Sequence, residues 1–520
     1  MTYSVSKNLI KPTYQPQKMA ISKKINRREF LGSATAASLA ITVVPRNVLG
    51  GKGFVAPSDK ITLGYIGCGT QGLREMTGLL ANPALQIVSV CDPNKFTTDY
   101  VDWSQNGVRN NIRTALGDPS WGEKLTGIPG GRDIGQELVQ KYYTKSKESG
   151  SYKGCSSYAD FRELLDKEKD VDAIKIMTPD HLHATIAIAS LKKGKHVVTH
   201  KPIANRISES KLLIETARKT GLGTHLLAWS RKPGYDVAKK WIKDGLIGNL
   251  KEIHNWSNRP VWPQWQSNPT ETPPVPKDLN WDLWLGPVPD RPYHPNYTHA
   301  VFRGWYDFGG GSIADMGHYS LFPLFLTFGI ETPAISAEAY GTTTCTLRNN
   351  VAVGVVNDVA FPLSCIIRFK FPAQKEMKPF DLYWYDGGMK PITPDELSAE
   401  GKSLTPEGMM FVGDKGKILA GFRGEDPKLI SDSRMASPAD KTEKEAGSDG
   451  NAVWIDSFRN KTQSPGSFIY AGPVTETILL GAVALRVRKK VEYDSVNMTI
   501  TNVPEANKLL TREYRKGWEL

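Results

Sequence analysis

Short apolar runs and helix-spaced apolar positions alternate along the chain from residue 58 onward. Short runs bounded by turn residues indicate buried strands, and apolar positions repeating every three or four residues indicate helices. The predicted strands cover residues 60–67, 85–90, 173–178, 196–199 and 224–228, and the predicted helices cover 73–81, 181–193 and 208–219. Because strands that alternate with helices form parallel sheets, this part is predicted to be a doubly wound α/β domain.

From about residue 249 the pattern changes to longer strands separated by turns. Residues 364–371 alternate between polar and apolar, as in a strand with one buried face. Asp386-Gly387-Gly388 and Gly413-Asp414-Lys415-Gly416 have the composition of hairpin turns, and residues 474–486 are predicted to be helical. A second, C-terminal domain of the α+β class is therefore predicted.

The segment at 93–156 interrupts the first domain. It shows little apolar periodicity apart from a helical pattern at 136–145. Loops of this length are usually functional or disordered. The segment is therefore predicted to be an insertion.

The first 57 residues have the layout of a targeting segment. Arg27-Arg28 stand shortly before an apolar stretch at 33–44, which Pro45 follows. The stretch is shorter than the roughly 20 residues that a membrane-spanning helix needs. The pattern is typical of a twin-arginine export signal and predicts an exported or periplasmic protein without stable membrane insertion after processing. A disordered basic tail is the alternative.

The net charge of +12 is concentrated in this leader. Residues 1–53 contain nine lysines and arginines and one acid, so the rest of the chain is close to balanced for its length. Nucleic-acid binding is therefore not predicted. The five cysteines are irregularly spaced and odd in number, which predicts neither a disulfide framework nor a metal site.

A glycine-rich turn, Gly67-Cys68-Gly69-Thr70-Gln71-Gly72, lies between the first predicted strand and helix, and Asp92 follows it by 20 residues. This is the dinucleotide-binding fingerprint in its required context. Gly67 permits the tight turn, Gly69 the approach of a pyrophosphate, and Gly72 close packing of helix and strand. Free N–H groups at the helix start favour the anion, and Asp92 would bind ribose hydroxyls and repel a 2′-phosphate. The sequence predicts NAD as cofactor, with Thr70 and Gln71 in the binding turn.

Three further motifs make the chain recognisable. Thr178-Pro179-Asp180-His181-Leu182-His183 and Val197-Val198-Thr199-His200-Lys201-Pro202 are followed by a glycine-led segment from Gly309 to His318 that contains Asp315. In this order, after the glycine turn, they resemble the Gfo/Idh/MocA family, named for glucose–fructose oxidoreductase and inositol dehydrogenase. The chain departs from the family pattern at Asp180, where the family has Asn, and at His200, where it has Glu.

The resemblance implies an N-terminal Rossmann fold with a doubly wound parallel sheet and a C-terminal α+β domain with a mixed, mostly antiparallel sheet. The predicted organisation is a twin-arginine signal and linker at 1–57, an NAD-binding domain at 58–222, and a substrate-binding and oligomerisation domain at 223–520. A homo-oligomer, dimer or tetramer, is expected. The resemblance adds Thr178, Pro179, Asp180, His183, Lys201 and Pro202 to the predicted cofactor site.

Lys201 is the predicted catalytic residue. It follows a parallel strand, at the edge of the sheet where α/β proteins bind ligands, and a lysine there handles a proton or polarises an oxygen. A surface lysine is the alternative. Asp315 is expected to orient a partner, and both His318, three residues on, and Tyr319, four residues on, share its face of a helix. The choice between them stays open at this level, and Asp315 as a favourable residue at a helix N-terminus is the alternative.

Residues 254–306 contain six of the thirteen tryptophans. Aromatic rings beside a site stack on sugar rings, although they equally serve to pin a proline-rich loop onto a sheet. The predicted substrate-site residues are Tyr293, His294, Arg303 and Trp305. Five other histidines receive no role: His181, His196, His225, His254 and His299.

The function predicted from these features is NAD-dependent oxidation of a secondary hydroxyl in a sugar, glycoside or polyol, with a small carbohydrate as partner. A redox-neutral NAD-dependent glycosidase is the first alternative, because free NAD is scarce outside the cytoplasm. A ping-pong enzyme that recycles its bound cofactor with a second sugar is closely related. A non-catalytic sugar-binding protein on a Rossmann scaffold is the third reading.

Overall fold

The computed structural model describes residues 59–145, 154–431, 434–436 and 450–520. The leader with Arg27-Arg28, predicted as an export signal, lies outside the described residues. The chain forms two packed α/β units, each with its own sheet.

The first unit contains a six-stranded sheet in the order β3-β2-β1-β4-β5-β6, and every pair is parallel. This is the order of the doubly wound dinucleotide-binding fold, so the predicted fold class is confirmed. The sheet runs past the predicted domain boundary at residue 222, because its last strand begins at Thr224. Its strands are β1 Ile61–Ile66, β2 Leu85–Cys91, β3 Ser156–Tyr158, β4 Ala173–Ile176, β5 His196–Thr199 and β6 Thr224–Leu226.

Helices cover both faces of this sheet. The described helices of the unit are α1 Thr70–Leu80, α2 Gly107–Leu116, α3 Arg132–Lys145, α4 Phe161–Lys167, α5 Asp180–Lys192 and α6 Ile207–Thr220. Two of them, α2 and α3, lie in the insertion, where only residues 136–145 were predicted to be helical. In α2 the buried residues are Val108, Ile112 and Leu116, one per turn, which is enough to fix the helix against α1 and α3.

The second unit is built on a ten-stranded sheet in the order β16-β15-β14-β13-β7-β12-β11-β8-β17-β18. Only the pairing of β7 with β12 is parallel, so the predicted mixed, mostly antiparallel sheet is confirmed. The strands are β7 Leu250–Trp256, β8 Ser336–Gly341, β11 Cys365–Phe371, β12 Phe380–Tyr385, β13 Gly408–Gly413, β14 Lys417–Ala420, β15 Lys428–Ser431, β16 Arg434–Ala436, β17 Val491–Asp494 and β18 Thr499–Ile500, and a separate hairpin consists of β9 Thr344–Arg348 and β10 Val351–Val355.

One of the two predicted hairpin turns is wrong. Gly413-Asp414-Lys415-Gly416 joins β13 to β14 as an antiparallel pair, as predicted. Asp386-Gly387-Gly388 follows β12, whose neighbours are β11 and β7, so the chain leaves the sheet there instead of turning back beside β12. The Asp386 side chain is used to anchor other segments, as described below.

The remaining described helices are α7 Pro233–Lys243, α8 Trp281–Leu285, α9 His318–Phe328, α10 Asp395–Ser398, α11 Gly450–Arg459 and α12 Phe468–Val487, and a π-helical turn at Ile313–Gly317 leads into α9. Helix α12 has the length and hydropathy of a membrane span, but 78% of its apolar window is buried inside the protein. It packs against α6 of the first unit and β8 of the second. Its position is that of a core helix that joins the two units.

Two late segments of the chain return to the first unit. Trp454, Ile455 and Phe458 of α11 belong to the same apolar core as β1 and β2. Arg512 forms a buried ion pair with Glu209 of α6, with 2.6 Å between Nε and Oε1. The first unit is therefore completed by residues that lie far beyond residue 222 in the sequence.

Candidate active site

The glycine turn has backbone geometry that only glycine accommodates at two positions. Gly67 has φ +102°, and a Cβ there would lie 2.6 Å from the backbone of Met177. A Cβ at Gly72 would lie 2.1 Å from the carbonyl oxygen of Gly67. The start of α1 is thereby held against the ends of β1 and β4. The unpaired N–H groups at the start of α1 are available to bind an anion.

An open cleft, about 790 Å³ when the solvent at its mouth is included, lies above this turn. Eight of the predicted cofactor residues line it: Gly67, Gly69, Thr70, Gln71, Gly72, Asp92, Thr178 and Pro179. The lining fits a dinucleotide, because a glycine cradle, a helix start and a carboxylate converge on one groove.

Asp92 lies directly after β2 and borders the cleft. Its carboxylate accepts hydrogen bonds from the backbone N–H groups of Cys68 at 2.7 Å and Asn94 at 2.8 Å. Burial raises the pKa of Asp92, and these two hydrogen bonds act in the opposite direction. The carboxylate is thus held in place before any ligand arrives.

Asp180, His183 and Pro202, also predicted as cofactor residues, are placed behind the cleft wall. The Asp180 carboxylate accepts a hydrogen bond from the Gly310 N–H at 3.1 Å. The two ring nitrogens of His183 lie 2.6 Å from the Pro202 carbonyl oxygen and 2.9 Å from that of Thr178. These contacts tie the Thr178 and Pro202 turns to each other and to the glycine-led segment of the second unit.

Lys201 and Asp315 form a buried ion pair where the two units meet. Arg303 also binds Asp315, with 3.1 Å between Nε and Oδ1. Burial alone would raise the pKa of Asp315, but the charges of Lys201 and Arg303 outweigh it and hold that pKa well below its usual range. Burial lowers the pKa of Lys201, and the Arg303 charge adds to this effect while Asp315 opposes it. The cluster carries one ionised carboxylate between two cationic groups.

Tyr319 and His318 point in different directions. The Tyr319 hydroxyl lies 3.1 Å from Nε2 of His200, which borders the cleft. His318 is fully buried, and its ring nitrogens contact the Ala314 carbonyl oxygen at 2.9 Å and the Thr475 hydroxyl at 3.1 Å. Burial lowers the pKa of His318 to about 3. The structure brings Tyr319, not His318, together with Lys201 and Asp315.

Of the four predicted substrate residues, only Arg303 borders the cleft. Trp305 donates a hydrogen bond to the Asn296 carbonyl at 2.7 Å and stacks on Trp265. Tyr293 packs edge-on against Trp281, and His294 accepts a hydrogen bond from the Asn296 N–H at 3.1 Å. These three aromatic side chains stabilise the loop itself. This is the structural role that the sequence analysis gave as the alternative to stacking on sugar rings.

Two residues without a predicted role also belong to this region. His299 borders the cleft from the second unit and pairs with Asp99, with 3.1 Å between Nε2 and Oδ1. The Arg423 guanidinium lies 4.9 Å from the centre of the Tyr319 ring. Neither has a local motif, and each reaches the site only through long-range packing, so the sequence carried no signal for them.

Asp386 supports the glycine-led segment from behind. Its carboxylate accepts hydrogen bonds from the Cys365 N–H at 2.7 Å and the Trp384 indole at 3.1 Å, and it is also hydrogen-bonded to Ser312. Burial raises the pKa of Asp386 to about 6. Ser312 directly precedes the π-helical turn that carries Asp315.

Two family models match the chain. The oxidoreductase family's NAD-binding Rossmann fold matches residues 135–226, and its C-terminal alpha/beta domain matches residues 236–342; both belong to the Gfo/Idh/MocA group. The predicted NAD cofactor is confirmed by the first of these matches. The residues before 135 fall outside it, although β1, the glycine turn and β2 precede the long insertion.

Several curated proteins are similar to parts of the chain. Levoglucosan dehydrogenase of Pseudarthrobacter phenanthrenivorans is 35% identical over 115 residues, which is 21% of this chain and 29% of that protein. The 1,5-anhydro-D-fructose reductase of Ensifer adhaerens is 23% identical over 297 residues, 53% of this chain and 77% of that protein. A glycosyl hydrolase family 109 protein of Shewanella pealeana is 23% identical over 243 residues, 44% of each chain. The similarity thus spans less than half the length of two of these three relatives.

Proposed function

Since the chain contains an NAD-binding domain and a C-terminal domain of the Gfo/Idh/MocA oxidoreductase family, we propose that it is an NAD-dependent oxidoreductase acting on a secondary hydroxyl of a sugar, glycoside or polyol. Two of the relatives described above are named for reactions on sugars. The observation that carries the proposal is that Arg303, which lines the cleft above the glycine turn, binds the same Asp315 carboxylate that pairs with the buried Lys201.

NAD, when bound, supplies an acceptor for the hydrogen that leaves the carbinol carbon. The chain must then take the proton from the reacting hydroxyl, and Lys201 is the group for this step. Its lowered pKa makes the neutral amine, which accepts a proton, more accessible than in an exposed lysine. Asp315 holds the Lys201 amine in position, and Arg303 keeps Asp315 ionised throughout.

Tyr319 is the proposed partner of Lys201. The Lys201 amine lies over its ring, and the hydroxyl is linked to His200 at the cleft wall. Burial raises the pKa of Tyr319 and lowers that of His200, so both groups are neutral near pH 7. A neutral hydroxyl and a neutral imidazole in contact can pass a proton toward the cleft without creating a buried charge. The family has Glu at the position of His200. We propose that the histidine here allows this proton transfer between neutral groups.

We also propose that NAD is preferred over NADP. The Asp92 carboxylate is fixed by two backbone hydrogen bonds, and a fixed negative charge beside the ribose disfavours a 2′-phosphate. Export through the twin-arginine route is proposed on Arg27-Arg28, and a homo-oligomer on the resemblance to the family.

A redox-neutral glycosidase is the second candidate, and the similarity to a glycosyl hydrolase family 109 protein favours it. A non-catalytic sugar-binding role is less well supported, because two buried cations and a carboxylate are costly to keep beside a cleft that performs no chemistry.

The test is a screen of sugars, polyols and glycosides with the purified protein. Mass spectrometry of the products and NADH absorbance are followed together. Oxidised sugar with stoichiometric NADH supports the dehydrogenase. Cleaved glycoside without net NADH supports the glycosidase, and no product from any class contradicts both.

A further inference from the structure

A smaller hollow, about 360 Å³ when the solvent at its mouth is included, lies where the two units meet. Its wall is formed by residues 205–207 at the start of α6, by Tyr306, Gly309 and Gly310, and by the last two turns of α12. Among the described residues, none that lines this hollow also lines the cleft above the glycine turn. The hollow is therefore separate from the proposed catalytic site. We call it the junction hollow.

The wall of the junction hollow is positively charged. Its charged side chains are Arg206 and Arg486, and the described residues that line it include no Asp or Glu. Arg206 is buried, with 8% of its surface exposed. The half-buried Arg486 guanidinium lies 5.0 Å from the centre of the Tyr306 ring and forms no ion pair within the described part of the chain. Because buried charges in proteins are normally paired, this wall lacks a counter-charge.

The carboxylates that contact the neighbouring arginines are already occupied. Asp307 binds Arg206 through one oxygen at 3.3 Å and Arg291 through the other at 2.6 Å. Glu209 binds Arg512, and it also accepts hydrogen bonds from the Asn205 N–H and the Tyr514 hydroxyl, both at 3.2 Å. Three guanidinium groups thus share two carboxylates before the unpaired arginine of α12 is counted.

The excess positive charge acts on Arg206. Burial lowers the pKa of Arg206 to about 9, and the charges of Arg512 and Arg486 act in the same direction while Asp307 and Glu209 oppose them. An anion beside this guanidinium would favour its charged form and replace the hydration that burial removes.

The hollow also offers hydrogen-bond donors to an anion. A guanidinium group has five N–H donors in a planar fork that matches two oxygens of a carboxylate or phosphate group. Arg486 donates to no protein acceptor among the described residues. Helix α6 begins at Ile207 in the wall, and its N-cap side chain caps no backbone N–H, so the positive end of the helix dipole adds to the attraction.

From the hollow, its two arginines and the missing counter-charge, we infer that the junction hollow is a binding site for a small oxyanion, a phosphate or carboxylate group, held between Arg206 and Arg486. The inference goes beyond the proposed function and does not rest on it. Residues 205–207 closely follow Lys201, and Gly309-Gly310 lead into the π-helical turn that carries Asp315. The bound anion therefore braces, from a separate site, the two segments that carry the Lys201–Asp315 ion pair.

The test measures anion binding by the full-length protein. Thermal unfolding is followed in sodium phosphate, sodium acetate and sodium chloride at equal pH and ionic strength, and binding of radiolabelled inorganic phosphate is measured by equilibrium dialysis. Excess NAD is present throughout, because the glycine turn also attracts phosphate. Arg486→Gln removes the unpaired charge. Arg488→Gln is the matched control, because it removes a charge two residues on, where the side chain donates to the Asn357 carbonyl at 3.0 Å and does not line the hollow.

The wild type and Arg488→Gln are expected to bind phosphate or acetate saturably, with a Kd of about 1 mM or below, and to unfold at a higher temperature in that salt than in chloride. Arg486→Gln should weaken this binding about tenfold or more, the usual result of losing a charge-assisted hydrogen bond. Stronger binding of phosphate identifies a phosphate site, and stronger binding of acetate a carboxylate site. Equal affinity in the wild type and Arg486→Gln, or no saturable binding of either anion by the wild type, overturns the inference.

A second variant tests the same charge balance without removing an arginine. Ala482 lines the hollow one helical turn before Arg486, so Ala482→Glu supplies a carboxylate from the chain itself. This variant should be more stable than the wild type in chloride and should gain nothing from phosphate or acetate. Ala482→Glu that still gains as much stability from phosphate or acetate as the wild type would show that these anions bind elsewhere.

Discussion

Lys201 and Tyr319 face each other across the junction of the two units, with the Lys201 amine 5.1 Å from the centre of the Tyr319 ring. The π-helical turn at Ile313–Gly317 explains why Tyr319, and not His318, faces Lys201. A π turn contains more residues than an α turn, so the residue four positions after Asp315 stays on its face of the helix while the residue three positions on rotates away. His318 is consequently directed into the core, against Thr475.

This geometry predicts opposite effects for two neighbouring substitutions. Tyr319→Phe removes only the hydroxyl that contacts His200 and should lower kcat about ten- to a hundredfold with little change in thermal stability. His318→Ala leaves the site intact but removes a buried ring with two hydrogen bonds, and should lower the free energy of unfolding by roughly 2–4 kcal/mol. Steady-state kinetics and thermal unfolding of both variants check this. Lower kcat in folded His318→Ala, with normal turnover in Tyr319→Phe, would reverse the assignment.

Lys201→Ala should lower turnover by about 100- to 10,000-fold, the usual range for the loss of a general acid or base. Bound NAD should remain, because the glycine turn and Asp92 are untouched. Nucleotide content by mass spectrometry, measured beside kcat, separates these two effects. Near-normal turnover with substrate bound in the same cleft would show that Lys201 does not handle the proton.

The parallel sheet and the glycine turn could be predicted because their signals are local. Each strand is a short buried run, and Gly67, Gly72 and Asp92 act within one strand–turn–helix unit. Helix α2 of the insertion was harder to predict from the sequence, because it needs only three apolar residues when it packs between two other helices. The substrate residues were predicted from composition alone, and Trp305 and Tyr293 turned out to pack within their own loop. His299 reaches the site through Asp99 and Tyr100, about two hundred residues away, a relationship that no local pattern encodes.

Asp386 should make stability depend on pH in a specific window. Its pKa is raised to about 6 from an unfolded value of 3.8, so the folded protein favours the protonated carboxyl. The resulting stabilisation is complete below pH 3.8 and is lost as the pH rises through about 6. Asp386→Asn cannot ionise and should lack this loss, which amounts to on the order of 3 kcal/mol. Chemical denaturation of both proteins between pH 4 and 7 checks it, and parallel pH profiles would contradict the prediction.

The Arg27-Arg28 pair predicts export through the route that carries folded proteins. Replacing both arginines with lysine keeps the charge but removes the paired guanidinium groups, and should leave the protein in the cytoplasm. Lys23→Arg together with Lys24→Arg is a matched control, since it changes two adjacent basic residues just before the pair. Fractionation followed by immunoblotting measures the outcome. Export of the double-lysine variant at the wild-type level would show that the leader works in another way.

Asp92 predicts which dinucleotide the protein carries. Its carboxylate is fixed by the N–H groups of Cys68 and Asn94, so its charge cannot swing away from a 2′-phosphate. Protein isolated from cells should release mainly NAD(H) on denaturation. Asp92→Asn keeps one oxygen acceptor but removes the charge, and the NADP(H) share should rise about tenfold relative to NAD(H). Glu123→Gln, which neutralises an exposed carboxylate in the insertion at 93–156, should leave the ratio unchanged. Mainly NADP(H) in the wild-type protein would mean that Asp92 does not set the preference, because a fixed carboxylate at the ribose and a bound 2′-phosphate repel each other.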